Sequence, residues 1–160
     1  MKTKPDRKSH LIEELLKLSE APEWEQAQFE WELKFIAWAS IEDDESCICG
    51  HHPIVELCNI RNNKTEQETI VGNCCVNKVT DLPSKAIFKS LKKVKKNLSK
   101  PLDDEVIELA FDNGWINTWE YNFFADTNYL IWPTSKQLAM RRKLNEKILN
   151  KVKPKGDQTK

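Results

Sequence analysis

All five cysteines of this 160-residue chain lie between Cys47 and Cys75, in CICGHHPIVELCNIRNNKTEQETIVGNCC, with two of its three histidines. No other feature restricts the fold as strongly, because closely spaced thiols form a disulfide framework, a reactive centre or a metal clip. A disulfide framework fits poorly. The cysteine count is odd, Cys74 and Cys75 are adjacent, and acidic residues interrupt the apolar run of MKTKPDRKSHLIEELL where an export signal needs continuous hydrophobicity. Nor does any stretch approach the roughly 20 apolar residues of a membrane span. The expected setting is cytoplasmic and reducing, where persistent disulfides are rare.

A metal clip has positive support. Cys47-Ile48-Cys49-Gly50 reads as a knuckle, two soft ligands on a tight turn whose Gly50 can take a positive φ. A strand-like run follows over residues 54–60, then a polar turn over 62–66 and a second strand-like run over 68–71. Such a hairpin returns Gly72-Asn73-Cys74-Cys75 to the knuckle, the order that a treble-clef or related zinc module needs. Tetrahedral Zn2+ takes four ligands. Cys47, Cys49 and Cys75 are the leading candidates, and the fourth is Cys58, His52 or Cys74, in that order. Cys58 also reads as a small buried hydrophobe on a strand. His51 and His52 also read as turn residues.

CICG, ELCNIRN and IVGNCCV together resemble a small zinc-finger-like module of poorly characterised bacterial and bacteriophage proteins, in which a CxCG knuckle precedes an I-x-N turn and a VG-x-x-C segment. Here those elements are Cys47 to Gly50, Ile60 to Asn62 and Val71 to Cys75. The resemblance implies a metal-binding fold, favours Cys75 over Cys74 as a ligand, and implies no particular activity.

The rest of the chain reads as helical. Ser9 can cap a helix over 10–18, and Pro22 suits the first turn of a second helix reaching about Ser40. On that second segment Trp24, Ala27, Trp31, Phe35 and Trp38 recur at helical spacing. This aromatic stripe is a core face, or alternatively a platform for stacking bases. Further helices are expected over 84–98 with a basic outer face, over 102–113 closed by Gly114, from Asn117 with a capping pair in Glu120, and from Thr134 with Gln137 to about Val152. Overall the chain reads as α+β, about six helices around a small zinc-bound hairpin. Its expected divisions are an N-terminal helical segment (1–45), the zinc module (46–82), a C-terminal helical segment packing with the N-terminal helices (83–152) and a disordered tail (153–160).

Formal net charge is zero, yet the charges are in blocks. Residues 11–45 hold eleven acidic and two basic side chains, and residues 103–126 hold seven acidic and none basic. Residues 85–100 hold seven lysines and no acid, and residues 136–160 hold nine basic and two acidic side chains. Neighbouring blocks can simply neutralise one another as solvated faces. Alternatively Lys85, Lys89, Lys92, Lys93 and Lys96, with Arg141, Arg142 and Lys143, form a phosphate-binding surface with little base readout.

Catalysis is not expected. The chain has no P-C-x-x-C deaminase motif, Walker loop, dinucleotide fingerprint, G-x-S-x-G or HExxH. The reading is a zinc-stabilised nucleic-acid-binding accessory protein. The alternative is a protein-interaction adaptor or inhibitor with a purely structural zinc.

Overall fold

The structure, a computed structural model, describes residues 7–152. The predicted polar tail from residue 153 onward lies outside them. Among the described residues the chain is α+β, with seven α-helices and one three-stranded antiparallel sheet of order β1-β2-β3. No helix there is long and apolar enough to cross a membrane. Two compact units divide the chain, the first ending at Ser84 and the second beginning at Lys85.

The first unit contains α1 (Arg7–Lys17), α2 (Trp24–Ala27), β1 (Trp31–Trp38), β2 (Glu56–Asn62), β3 (Glu68–Gly72) and the short α3 (Asn73–Val76). Here α1 begins ahead of Ser9, so that residue is inside the helix rather than its cap. The helix buries Leu11 and Leu15 completely. The predicted hairpin is present as β2 and β3, joined by the polar turn.

The long helix expected up to Ser40 is replaced by the single turn of α2, a 3-10 turn over Gln28–Glu30, and β1. In β1, Trp31 lies opposite Asn62, Leu33 opposite Ile60, Ile36 opposite Cys58 and Trp38 opposite Glu56, with a bulge at Lys34. A bulge inserts one residue and slips the two-residue alternation by one. Trp31 and Trp38, seven apart, therefore reach the same sheet face, as they would on a helix. The composition WELKFIAW, with three aromatic residues and Ile36, favours a strand. Ile36, Cys58, Ile60 and Val71 share that face through cross-strand pairing and are fully buried.

One polar cluster fixes β1 against the hairpin. The buried Asn62 side chain accepts from the backbone N–H of Lys64 at 2.8 Å and of Thr65 at 3.0 Å, closing the β2–β3 turn. Its amide donates to Glu30 at 3.2 Å. Glu30 in turn accepts from the backbone N–H of Glu20 and Ala21, both at 2.9 Å, and its own carbonyl accepts from the N–H of Asn63 at 2.6 Å. Thr65 donates to the Leu18 carbonyl at 2.7 Å, tying the same turn to the end of α1. Asn62 is the asparagine of the I-x-N element, and its role is to hold the turn.

The second unit comprises α4 (Ser84–Lys96, whose first residue belongs to the first unit), α5 (Asp104–Asp112), α6 (Thr118–Thr127) and α7 (Ser135–Leu149). Both capping boxes are formed, Asn117 with Glu120 and Thr134 with Gln137. Gly114 follows α5 with φ of 71°, the left-handed turn that a side chain would strain. The segment after α4 has little regular structure, so side chains satisfy its carbonyls. Arg141 donates to Ser99 and Thr127, Asn145 to Leu98 and Lys100, and Asn128 to Leu102.

Two outcomes follow. The hydrogen bonds from Glu20, opposed by burial and joined by those from Ala21 and Asn62, hold Glu30 below the ordinary carboxylate range. Its contribution is therefore full above that range and lost as pH falls through the lowered folded value. Glu30→Gln will lower the melting temperature by several degrees at neutral pH and by less in acid, where the wild type also carries a protonated group. Arg141→Met, which orphans two carbonyls, will cost about 3 kcal/mol in urea denaturation.

Candidate functional site

The knuckle is built by backbone contacts. The Gly50 N–H donates to the Cys47 carbonyl at 2.9 Å, and Gly50 takes φ of 95°, in the region that disfavours side chains. The Cys47 N–H donates to the His51 carbonyl at 2.9 Å, and the Ile48 N–H to the Ile70 carbonyl of β3 at 3.1 Å. That last bond docks the knuckle on the sheet. Directly after β3, α3 begins and supplies Cys75.

The result is a buried group of three thiols. The sulfurs of Cys47, Cys49 and Cys75 lie within 4.8 Å of one another, and no other histidine, cysteine, aspartate or glutamate among the described residues joins them. The Cys49 N–H points to the Cys47 sulfur at 3.5 Å. Hydrogen bonding from the Cys75 thiol, opposed by burial and aided by the N–H groups of Cys49 and Gly72, holds Cys47 down to about 5. Cys75, which gives that hydrogen bond, is pushed up, with burial and the Cys47 charge acting in the same direction. Three buried soft donors at this separation can hold one metal ion.

The other candidates stand apart from this group. Cys58 is fully buried on β2 between Ile36 and Val71, and its thiol is pushed up to about 12 by burial, then by the charges of Glu56 and Cys47. Cys74 is exposed. Successive helical residues point about 100° apart, so Cys74 turns away when Cys75 faces inward. The exposed His52 meets Asp44 at 2.9 Å. A cleft of about 260 Å³ opens over the three thiols, walled by Pro53, Ile54, Val55, Glu56, Cys74 and Lys78, among others. Sequence reasoning passed over His10, whose ring on α1 lies 3.9 Å from where a Cβ at position 50 would be. Forty residues separate the two, and no local pattern links them.

No family model, curated protein or solved structure matches the chain. What its sites can do must be read from their chemistry.

The predicted phosphate-binding residues divide into separate places. Lys85, Lys89, Lys92, Lys93 and Lys96 are all exposed along α4. Lys89, Lys92, Lys93 and Lys96, with Lys100 and Asn97, line a shallow groove of about 490 Å³. At its edge Lys93 also meets Asp103 at 3.2 Å. Arg142 bonds Ser99 at 2.7 Å, next to Lys100, and so extends this basic end of α4. Arg141 requires a correction: it is 5% exposed and donates to two carbonyls, which leaves it no face for a phosphate. Lys143 lies elsewhere, in a concavity with Trp119, Glu120, Met140 and Lys147. Lys147 pairs with Glu120 at 2.9 Å there.

Cys47→Ser, Cys49→Ser and Cys75→Ser are each expected to abolish retention of a divalent ion through gel filtration. Cys58→Ala is expected to keep full stoichiometry while losing about 1 kcal/mol or more of stability to the small cavity. Elemental analysis beside urea denaturation reads both.

Proposed function

We propose that this is a zinc-stabilised nucleic-acid-binding protein whose lysine groove on α4 takes the phosphate backbone. The observation that carries the reading is the groove itself: five lysines and one asparagine line it, and no carboxylate does. Lysine is a flexible point charge, suited to a repeating phosphate and poor at reading base edges. Arg142 at Ser99 lengthens the track beyond Lys100. Binding of this kind releases counterions, tolerates sequence and weakens steeply with salt.

The zinc part of the reading rests on the donor set. Thiolates select zinc among the abundant divalent ions, and the order of knuckle, hairpin and short helix is treble-clef-like. In this reading the ion supplies folding free energy to residues 47–80 by fixing the knuckle to the short helix that carries Cys75. The metal is the scaffold, and the helices make the contact.

A second reading has one observation in its favour. Tyr129, Leu130, Ile131 and Trp132 form a consecutive exposed run, with Ile131 83% and Trp132 90% exposed. An apolar run of that size suits a protein partner, which is the adaptor reading.

Fluorescence anisotropy with labelled single-stranded and duplex oligonucleotides separates the two. Binding should fall steeply between low and moderate salt. The triple variant Lys92→Glu, Lys93→Glu, Lys96→Glu should lose at least about tenfold in affinity with an unchanged melting temperature. Unchanged affinity in that variant, or no binding at low salt, overturns the nucleic-acid reading and leaves the adaptor.

A further inference from the structure

The three clustered thiols account for three corners of a tetrahedron. All three thiols line one open cleft, through which a fourth ligand could enter. His51, Glu56 and Cys74 also line it, but none of them brings a ligand atom into the group of three sulfurs that lie within 4.8 Å of one another. Glu56 is held by a hydrogen bond from the Asn73 amide, and the exposed Cys74 lies at the cleft's solvent side, outside the thiol group. Cys58 is enclosed in the sheet and does not line the cleft.

We propose that the metal centre keeps its fourth position open to this cleft and binds a small thiol there. This inference rests on the metal reading above. A three-thiolate ion is a soft centre and prefers a soft fourth donor. Pro53, Ile54 and Val55 give the cleft an apolar wall suited to an alkyl chain. Its volume of about 260 Å³ exceeds that of a single water several-fold. The incoming thiol binds through sulfur and releases its proton to bulk water, so the centre becomes more anionic by one charge. Lys78, one turn beyond Cys75 and on the same cleft, is the cation placed to meet that charge.

The test uses the full chain loaded with Co2+, whose thiolate charge-transfer and d–d bands report the donor set directly. Titration with 3-mercaptopropionate is expected to shift the d–d bands saturably and to raise charge-transfer intensity by about a third as the thiolate count goes from three to four. Cys74→Ser, His51→Ala and His10→Ala are expected to show the same starting spectrum and the same shift. Lys78→Glu is expected to weaken the thiol several-fold while leaving the starting spectrum alone. Full Co2+ bands that do not respond to thiol overturn the open position, and a changed starting spectrum in one of those three variants names the residue that closes it. Absence of any charge-transfer band on adding Co2+ defeats the metal reading itself.

Discussion

The fold of the first unit depends on one polar contact, the meeting of Asn62 with Glu30. Both side chains are buried, and each is hydrogen-bonded on more than one side. Asn62 holds the β2–β3 turn. Glu30 holds the connection between α1 and α2 and delivers the chain into β1. A buried carboxylate left without these donors is costly, so the segment has few alternatives. Once β1 is seated, the sheet has three strands, its apolar face closes over Ile36, Cys58, Ile60 and Val71, and the end of β3 is carried back to the knuckle.

That return makes the thiol group. Ile48 is bonded to Ile70, so the knuckle and the strand leading to Cys75 are registered by backbone rather than by the sulfurs. The sulfurs then lie together without support from a disulfide. Burial disfavours thiolates, and mutual proximity disfavours a second charge, which is why Cys47 is lowered only at the expense of Cys75. A divalent cation bound there would ease this conflict by ligating all three sulfurs and offsetting two of their three charges.

Charge in the second unit follows a different logic. Asn128, just past α6, and polar side chains of α7 are used inward, on the carbonyls of Leu98, Ser99, Lys100, Leu102 and Thr127, and this takes Arg141 out of any surface role. The lysines of α4 face outward on a helix whose Ile87, Leu91 and Val94 are fully buried. Their concentration around one groove is therefore a surface property that packing does not demand.

Much of this was legible locally. The knuckle with its glycine, the hairpin, both capping boxes, the turn at Gly114 and the lysine face of α4 follow from residue types at fixed short spacings, where the physics is a matter of one turn or one strand pair. The exchange of a long helix for β1 was not legible, because a bulge at Lys34 gives a strand the spacing of a helix and only pairing with β2 decides between them. Arg141 and Arg142 are adjacent in sequence, yet one is buried and the other exposed, a distinction set by the carbonyls that happen to need a donor. Likewise the sequence alone pointed to Cys47, Cys49 and Cys75 and left a fourth ligand open among Cys58, His52 and Cys74, and the tertiary structure brings the first three together and leaves the others apart. Leaving Cys58 inside the sheet and Cys74 outside the group depends on strand register and helix phase, which no short window of residues contains.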